Sequence, residues 1–290
     1  MSGSFLNALW SGSGSPRATF VAVAHSTLEA GGLILAQKGD SVFDLRAFLR
    51  RFVRRLRGAA WFNRIHSILK SNELGFKVML IKLGQRGSTF RTVIDVGASD
   101  GKWSRDVMKI FPLTNYLLFE CDERHRDGIT RFSESHPNVH VVMAAASDST
   151  TPIYLHAPTP DSGKVSYTVC SESDVVVQTT TLDAEIARLQ LPGPYFLKLD
   201  THGFELPILR GASKTLENVE LLQVEVYNFN FGSTDCVLRF PGMCTYLDEV
   251  GFRPLYLCDP LHRPSDGALF QFDLLFVRKD APEFNFEGWR

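Results

Sequence analysis

Four carboxylates, a histidine and two glycines carry the reactive chemistry of this sequence, and their spacing narrows what it is. The stretch VIDVGASDGKWS, residues 93–104, sets Asp95, Gly97 and Gly101 in the spacing D-x-G-x-x-x-G, with Ala98 and Ser99 between the glycines. A glycine directly behind a short apolar run takes backbone angles closed to other residues and lets a ligand approach the main chain. Glu120 ends the apolar run NYLLFE 19 residues after Gly101, and Cys121 follows it. In nucleotide-binding units an acid at a spacing of about 20 residues accepts hydrogen bonds from the ribose hydroxyls. Alone, the loop reads as a bare strand-to-helix turn and the acid as a solvated side chain. Together they point to a nucleoside ligand.

The identity of the nucleoside follows from Asp95. A dinucleotide fingerprint reads G-x-G-x-x-G, and here its first glycine position holds an acid, poorly suited to sit near two phosphates. A cationic ligand fits better. S-adenosylmethionine has an ammonium, a sulfonium and no phosphate, so it is the expected cofactor. A nicotinamide-dependent oxidoreductase is the enzymatic alternative that Asp95 disfavours.

A second constellation follows the run FLKLD, where Asp200 precedes His202 and Glu205 in THGFE. Imidazole, with an unperturbed pKa of about 6.5, is a natural base for a hydroxyl proton. Asp200 and Glu205 are placed to orient it, to bind substrate hydroxyls or to hold a divalent cation, although no metal-site spacing is present. The plainer reading has His202 capping a helix that begins at Gly203. Lys198, two residues before Asp200 in the strand pattern, is expected to form a structural ion pair with it. His140, His156 and His262 read as packing or solvated residues.

These residues need elements to position them. After Arg91 strand patterns alternate with helical ones: RTVIDVG, NYLLFE, NVHVVMAA, YFLKLD and LLQVEVYNF are strands with helices or loops between them. The helix after Gly101 is expected to share Trp103, Val107, Ile110 and Phe111 on one face, and Thr181 to cap a helix over TLDAEIARL. Residues 151–180 read as a two-stranded hairpin inserted beside the core. FRPLYLCD and LFQFDLLFVR have only a loop between them, which implies an antiparallel pair. The sum is an α/β fold on a mostly parallel sheet. The expected organisation is a flexible segment over 1–40, a helical extension over 41–88, the main domain over 89–280 and a tail over 281–290.

Composition sets the remaining bounds. The 290 residues carry a net charge of -1, which argues against a nucleic-acid partner. Five scattered cysteines, with no C-x-x-C pair, suit a reducing compartment. No apolar run reaches the roughly 18 residues of a spanning helix, and the N-terminus lacks a secretion-signal pattern, so a cytoplasmic address is expected. Residues 44–57 form an amphipathic pattern with six arginines, which either packs on the core or docks peripherally on an anionic membrane. A homo-oligomer is left open.

The whole series resembles the FkbM-type family of S-adenosylmethionine-dependent methyltransferases. The resemblance is carried by VIDVGASDGKWS, LLFECD, AAASD at 144–148, TTTLD at 179–183, FLKLDTHGFELPILRGA at 196–212 and VEVYNF at 224–229. It covers roughly residues 90–278 and implies a Rossmann-like, seven-strand class I methyltransferase sheet closed by an antiparallel hairpin. It also implies O-methylation of a hydroxyl on a sugar, glycan, polyketide or related small molecule. Carried over by position, Asp95, Gly97 and Gly101, with Ala98 and Ser99, border the methionine part. Glu120 and Cys121 lie at the ribose, Ser147 and Asp148 at adenine, and Asp200 beside the transferring methyl. The family more often reads V-E-G where this chain has Thr201-His202-Gly203, so the role of that acid does not transfer. A non-catalytic scaffold on the same fold is the alternative outside enzymes.

Overall fold

The computed structural model describes residues 36–38, 41–43, 74–85, 87–230, 236–286 and 288–289. The chain separates into two units, Met1–Lys70 and Ser71–Arg290. In the first, β1 (Ala36–Lys38) and β2 (Ser41–Phe43) pair antiparallel, with Gln37 opposite Val42. The helical extension expected from residue 41 therefore opens with a strand. Gly39-Asp40 between the strands is a dipeptide of the hairpin-turn type, a signal weaker than the arginine pattern that follows it. The arginine-rich helix expected over 44–57 lies outside the described residues.

The second unit begins with α1 (Phe76–Gln85), whose buried Phe76, Met79, Leu80 and Leu83 recur at helical spacing. Asp259 docks the start of this helix: its carboxylate accepts from Phe76 N at 3.2 and 3.3 Å, and its own N–H donates to Leu74 O at 2.8 Å. Then come β3 (Thr92–Val96), α2 (Lys102–Met108), β4 (Asn115–Phe119), α3 (Arg126–Glu134) and β5 (Val139–Val142). Helix α2 ends before Ile110 and Phe111, yet Val107 and Phe111 are both buried as their spacing predicts.

Short β6 (Ala145–Ala146) leads into an insert of β7 (Ile153–His156), β8 (Lys164–Ser166) and β9 (Val175–Val177). Strand β7 pairs antiparallel with both others. The insert thus has three strands rather than the expected two, because β8 is too short and polar to show in the sequence pattern. Its return strand β10 (Thr179–Thr180) pairs parallel with β6. Thr181 caps α4 (Leu182–Leu189) as expected, its side chain accepting from Ala184 N at 3.1 Å.

The chain continues through β11 (Tyr195–Leu199), α5 (Glu205–Arg210), α6 (Ser213–Leu216), β12 (Val219–Tyr227), α7 (Phe240–Glu249), β13 (Phe252–His262) and β14 (Leu269–Arg278). Seven strands form one sheet in the order β13-β14-β12-β11-β3-β4-β5, and only β14 runs antiparallel to its neighbours. Strand order reverses between β3 and β11, which is where an open α/β sheet binds its ligand, beyond the carboxyl ends of the strands.

Alternation along each strand feeds two cores. Ile94, Leu117, Leu197, Leu222, Val224 and Phe276 belong to the first face, and Val93, Leu118, Phe196, Leu221 and Leu275 to the second. On the second face the row turns polar toward the carboxyl ends, where Asp95, Lys198, Gln223, Glu225 and Asp273 occupy positions of the same parity. Among the described residues no helix is long and apolar enough to cross a membrane.

Candidate active site

A cavity of about 230 Å³ opens at the carboxyl ends of β3, β4 and β11, at the switch in strand order. Gly97 makes this junction possible. It has φ 76, and a Cβ there would lie 2.0 Å from Asp200 O, so only glycine lets the ends of β3 and β11 come this close.

Of the residues expected to bind a cofactor, Gly97, Ser99, Glu120, Cys121 and Asp200 line the cavity, together with His202. Glu120 is buried, and its carboxylate is held by three backbone donors: Ser99 N at 2.7 Å to Oε2, and Cys121 N at 2.8 Å and Asp122 N at 2.7 Å to Oε1. A carboxylate offers about four lone-pair sites, so these bonds fix both oxygens and leave acceptor capacity toward the cavity. Burial pushes this acid upward and the three N–H groups pull it back. Ser99 adopts φ 51, a conformation rare for a side-chain-bearing residue, to deliver its N–H. Its hydroxyl meets His125 Nδ1 at 3.2 Å, and His125 Nε2 donates to Pro160 O at 2.9 Å.

Five expected contacts fall elsewhere. Asp95 is fully buried and faces the protein, not the cavity: Ser104 Oγ donates to it at 2.7 Å and Lys198 Nζ at 2.9 Å. Ala98 is buried in the second-face core. Gly101 opens α2 with φ 80, close against Phe132, and the first-turn donor Lys102 N is taken by Asp100 at 3.0 Å. Ser147 is fully buried with its N–H on Thr180 O, and Asp148 accepts from the Tyr167 hydroxyl at 2.8 Å. The pairing of β6 with β10 turns Ala144, Ala145 and Ala146 to the cavity in their place.

The other end of the cavity is an ion-pair network. Lys198 is buried, and its ammonium reaches Asp95 at 2.9 Å, Gly97 O at 3.2 Å and Asp200 at 3.2 Å, so the expected pair with Asp200 forms and a second acid joins it. Burial opposes the charge on Asp200, but Lys198 and then His202 outweigh it and hold its carboxyl below the usual range. His202 sits in the turn after β11 at φ 55. Its Nδ1 lies 3.0 Å from Gly163 O, and its Nε2 lies 3.7 Å from both Asp200 Oδ1 and Glu225 Oε2. Because a carbonyl only accepts, Nδ1 carries the hydrogen in this contact.

Glu205 does not join this group. It is buried and accepts from Thr201 N, Thr201 Oγ1 and Gly203 N at 3.2, 3.0 and 3.1 Å, closing the turn ahead of α5. Helix α5 begins at Glu205 without a side-chain cap, so His202 does not cap it, and the second acid near the histidine is Glu225. The donor atoms of Asp200, His202 and Glu225 lie within 4.8 Å of one another. Protein groups already meet them, Lys198 at Asp200 and the Tyr227 hydroxyl and Gln271 amide at Glu225. Sequence reasoning passed over Glu225, His125 and the alanine wall. The period-two polar positions in QVEVY were the available signal for the first.

Three known proteins are similar to parts of this chain. Hexuronic acid methyltransferase AglP of Haloferax volcanii is 24% identical over 113 residues, 39% of this chain and 47% of AglP, so the match spans about half of that relative's length. The structure of methyltransferase FkbM from Methylobacillus flagellatus KT superposes with a TM-score of 0.42 at 15% identity, over 63% of this chain and 43% of that one. Precorrin-6y C5,15-methyltransferase from Geobacter metallireducens GS-15 does so with a TM-score of 0.38 at 12% identity, over 72% and 92%. The methyltransferase FkbM domain matches residues 95–254, more than half of the chain. The chain belongs to the methyltransferase FkbM family.

Proposed function

We propose that the chain is an S-adenosylmethionine-dependent O-methyltransferase acting on a hydroxyl of a sugar or related glycosylated molecule. The observation that carries this reading is Glu120, a carboxylate preset by three backbone N–H groups beside the cavity. Its remaining acceptor capacity suits the hydroxyls of a ribose. The apolar wall of Ala144, Ala145 and Ala146 suits the flat face of adenine, and the main chain of Gly97 and Ser99 suits the methionine part. Bound there, S-adenosylmethionine supplies an electrophilic methyl group. The chain's own task is to align the acceptor and take its hydroxyl proton. Alignment alone supplies several kcal/mol, and a placed base a further factor of about 10²–10⁴. His202 Nε2, beside Asp200 at the far end of the cavity, is the group we assign to the proton. The sugar class of the acceptor draws support from the hexuronic acid methyltransferase relative.

Titration calorimetry with S-adenosylmethionine and with NAD tests the cofactor. We expect heat from the first alone, and Glu120→Ala to weaken binding by about 1–3 kcal/mol, the cost of leaving polar partners unpaired. Labelled-methyl transfer to a panel of methyl glycosides tests the base. His202→Ala should slow kcat about 100-fold with cofactor affinity unchanged. Native affinity in Glu120→Ala, or native kcat in His202→Ala, refutes the corresponding assignment.

A further inference from the structure

Strand β12 buries a carboxylate that no lysine or arginine among the described residues is seen to reach. Glu225 is 9% exposed, on the second face of the sheet. An ionised carboxylate buried without a counter-charge costs several kcal/mol. Lys198 directs its ammonium to Asp95, Gly97 O and Asp200. Glu225 has neutral donors instead: the Tyr227 hydroxyl on Oε2, and Gln271 Nε2 on Oε1 at 2.5 Å. Packing does not require an acid here, since Leu221 fills a position of the same parity in the strand.

Beyond these donors Glu225 meets Asp200, whose carboxylate it helps stabilise through a side-chain hydrogen bond, and the histidine. Oε2 of Glu225 and Oδ1 of Asp200 each stand 3.7 Å from His202 Nε2, while Nδ1 is turned to Gly163 O. The ring is thus held at one nitrogen by the insert and bracketed at the other by two carboxyl groups. We infer that Glu225 is a positioning residue for methyl transfer, fixing the His202 ring against Asp200 so that Nε2 is aimed and its imidazolium is met by the Asp200 carboxylate when the hydroxyl proton arrives. This rests on the role proposed for His202. In that step the hydroxyl oxygen bonds the methyl carbon, the carbon–sulfur electron pair stays with sulfur, and the O–H proton passes to Nε2.

The charges around Glu225 agree with such a post. Asp200 after β11, Glu205 on α5, Tyr227 on β12 and Asp273 on β14 face it along with His202. Burial first, and then the Asp200 charge, push its carboxyl up to about 9. At neutral pH it therefore rests uncharged, which is how an acid is kept in this place without a cation.

Glu225→Leu separates function from packing. Because the leucine removes a buried acid, its melting temperature should equal or exceed that of the native protein, while kcat toward the glycoside panel falls ten-fold or more. KM and the affinity for S-adenosylmethionine should not move. In the double variant with His202→Ala, the leucine should cost less than a further two-fold. Nitrogen-15 spectra of the His202 ring supply a readout independent of any acceptor. They should show one tautomer, protonated at Nδ1, in the native protein and in Glu225→Gln, and a mixed or shifted ring signal in Glu225→Leu. A folded Glu225→Leu with native kcat and an unchanged His202 signal overturns the inference. So does an effect that multiplies fully with His202→Ala. A native rate in His202→Ala would instead remove the base assignment, whatever Glu225 does.

Discussion

The two faces of the sheet are built by the same strands and do different work. On the first face, Ile94, Leu197, Leu222, Val224 and Phe276 make an apolar layer that continues without a polar break to the carboxyl ends. On the second, the same strands carry Asp95, Lys198, Gln223, Glu225 and Asp273 at the end nearest the cavity. The first face holds the domain together by packing. The second sacrifices packing there for a row of charges and amides whose positions are set by strand register, Asp95 opposite Lys198, Lys198 opposite Gln223 and Glu225 opposite Asp273. A site resting on central strands is held more rigidly than one carried by loops alone.

Removing the cation should break the polar row most severely. Lys198→Met leaves Asp95 and Asp200 without their counter-charge and should cost about 3–5 kcal/mol in denaturant unfolding, the usual penalty for breaking a buried pair. Asp95→Leu added to it should recover much of that loss without restoring methyl transfer. Unfolding of both variants to the same degree would mean that the pair is not the source of the penalty.

Asp273 gives a smaller effect with a pH signature. Burial, followed by the Asp200 charge, raises its carboxyl from 3.8 to about 7. Between those values the folded protein keeps a proton that the unfolded chain has lost. Its contribution is therefore fully present below about pH 4 and is lost as pH rises toward 7. Asp273→Asn keeps an acceptor for the Gln223 amide, which now reaches the carboxylate at 2.9 Å. The variant should be more stable than the native protein by about 1–2 kcal/mol at pH 8, and the advantage should vanish near pH 4. Melting curves at the two pH values decide it, and an advantage of equal size at both would assign the gain to packing.

The smallest effect belongs to the first face. Ile94→Val removes one methylene from a fully buried position and should cost about 1 kcal/mol. The loss should be the same at pH 6 and pH 8, with kcat unchanged. A pH-dependent loss would show that the two faces are not independent.

Much of this was legible in the sequence, because strand runs and the glycine loop are local signals. The antiparallel pair β13 and β14, the cap at Thr181 and the pair Lys198–Asp200 follow from short-range pattern. The placement of Asp95 does not. Its partner Lys198 lies 103 residues away, and only parallel pairing of β3 with β11 brings them together. Glu225 takes the place beside His202 that was expected of Glu205 for a similar reason. Sequence proximity joins Glu205 to His202, while sheet geometry joins Glu225 to it. The third strand of the insert was hidden because Lys164–Ser166 is too short for a period to show.

The place of β14 has a consequence for how the protein is made. This strand leaves the ribosome after every other strand of the sheet, yet it lies inside the sheet, between β12 and β13. Its Gln271 and Asp273 are the partners of Glu225 and Gln223. A nascent chain stopped before residue 269 already contains β3, β4 and β11, the strands that border the cavity, but leaves one edge of β12 open and two buried polar groups without their mates. Among the strands of this sheet, synthesis thus delivers those bordering the cavity first and the one that supplies the partners of Glu225 and Gln223 last.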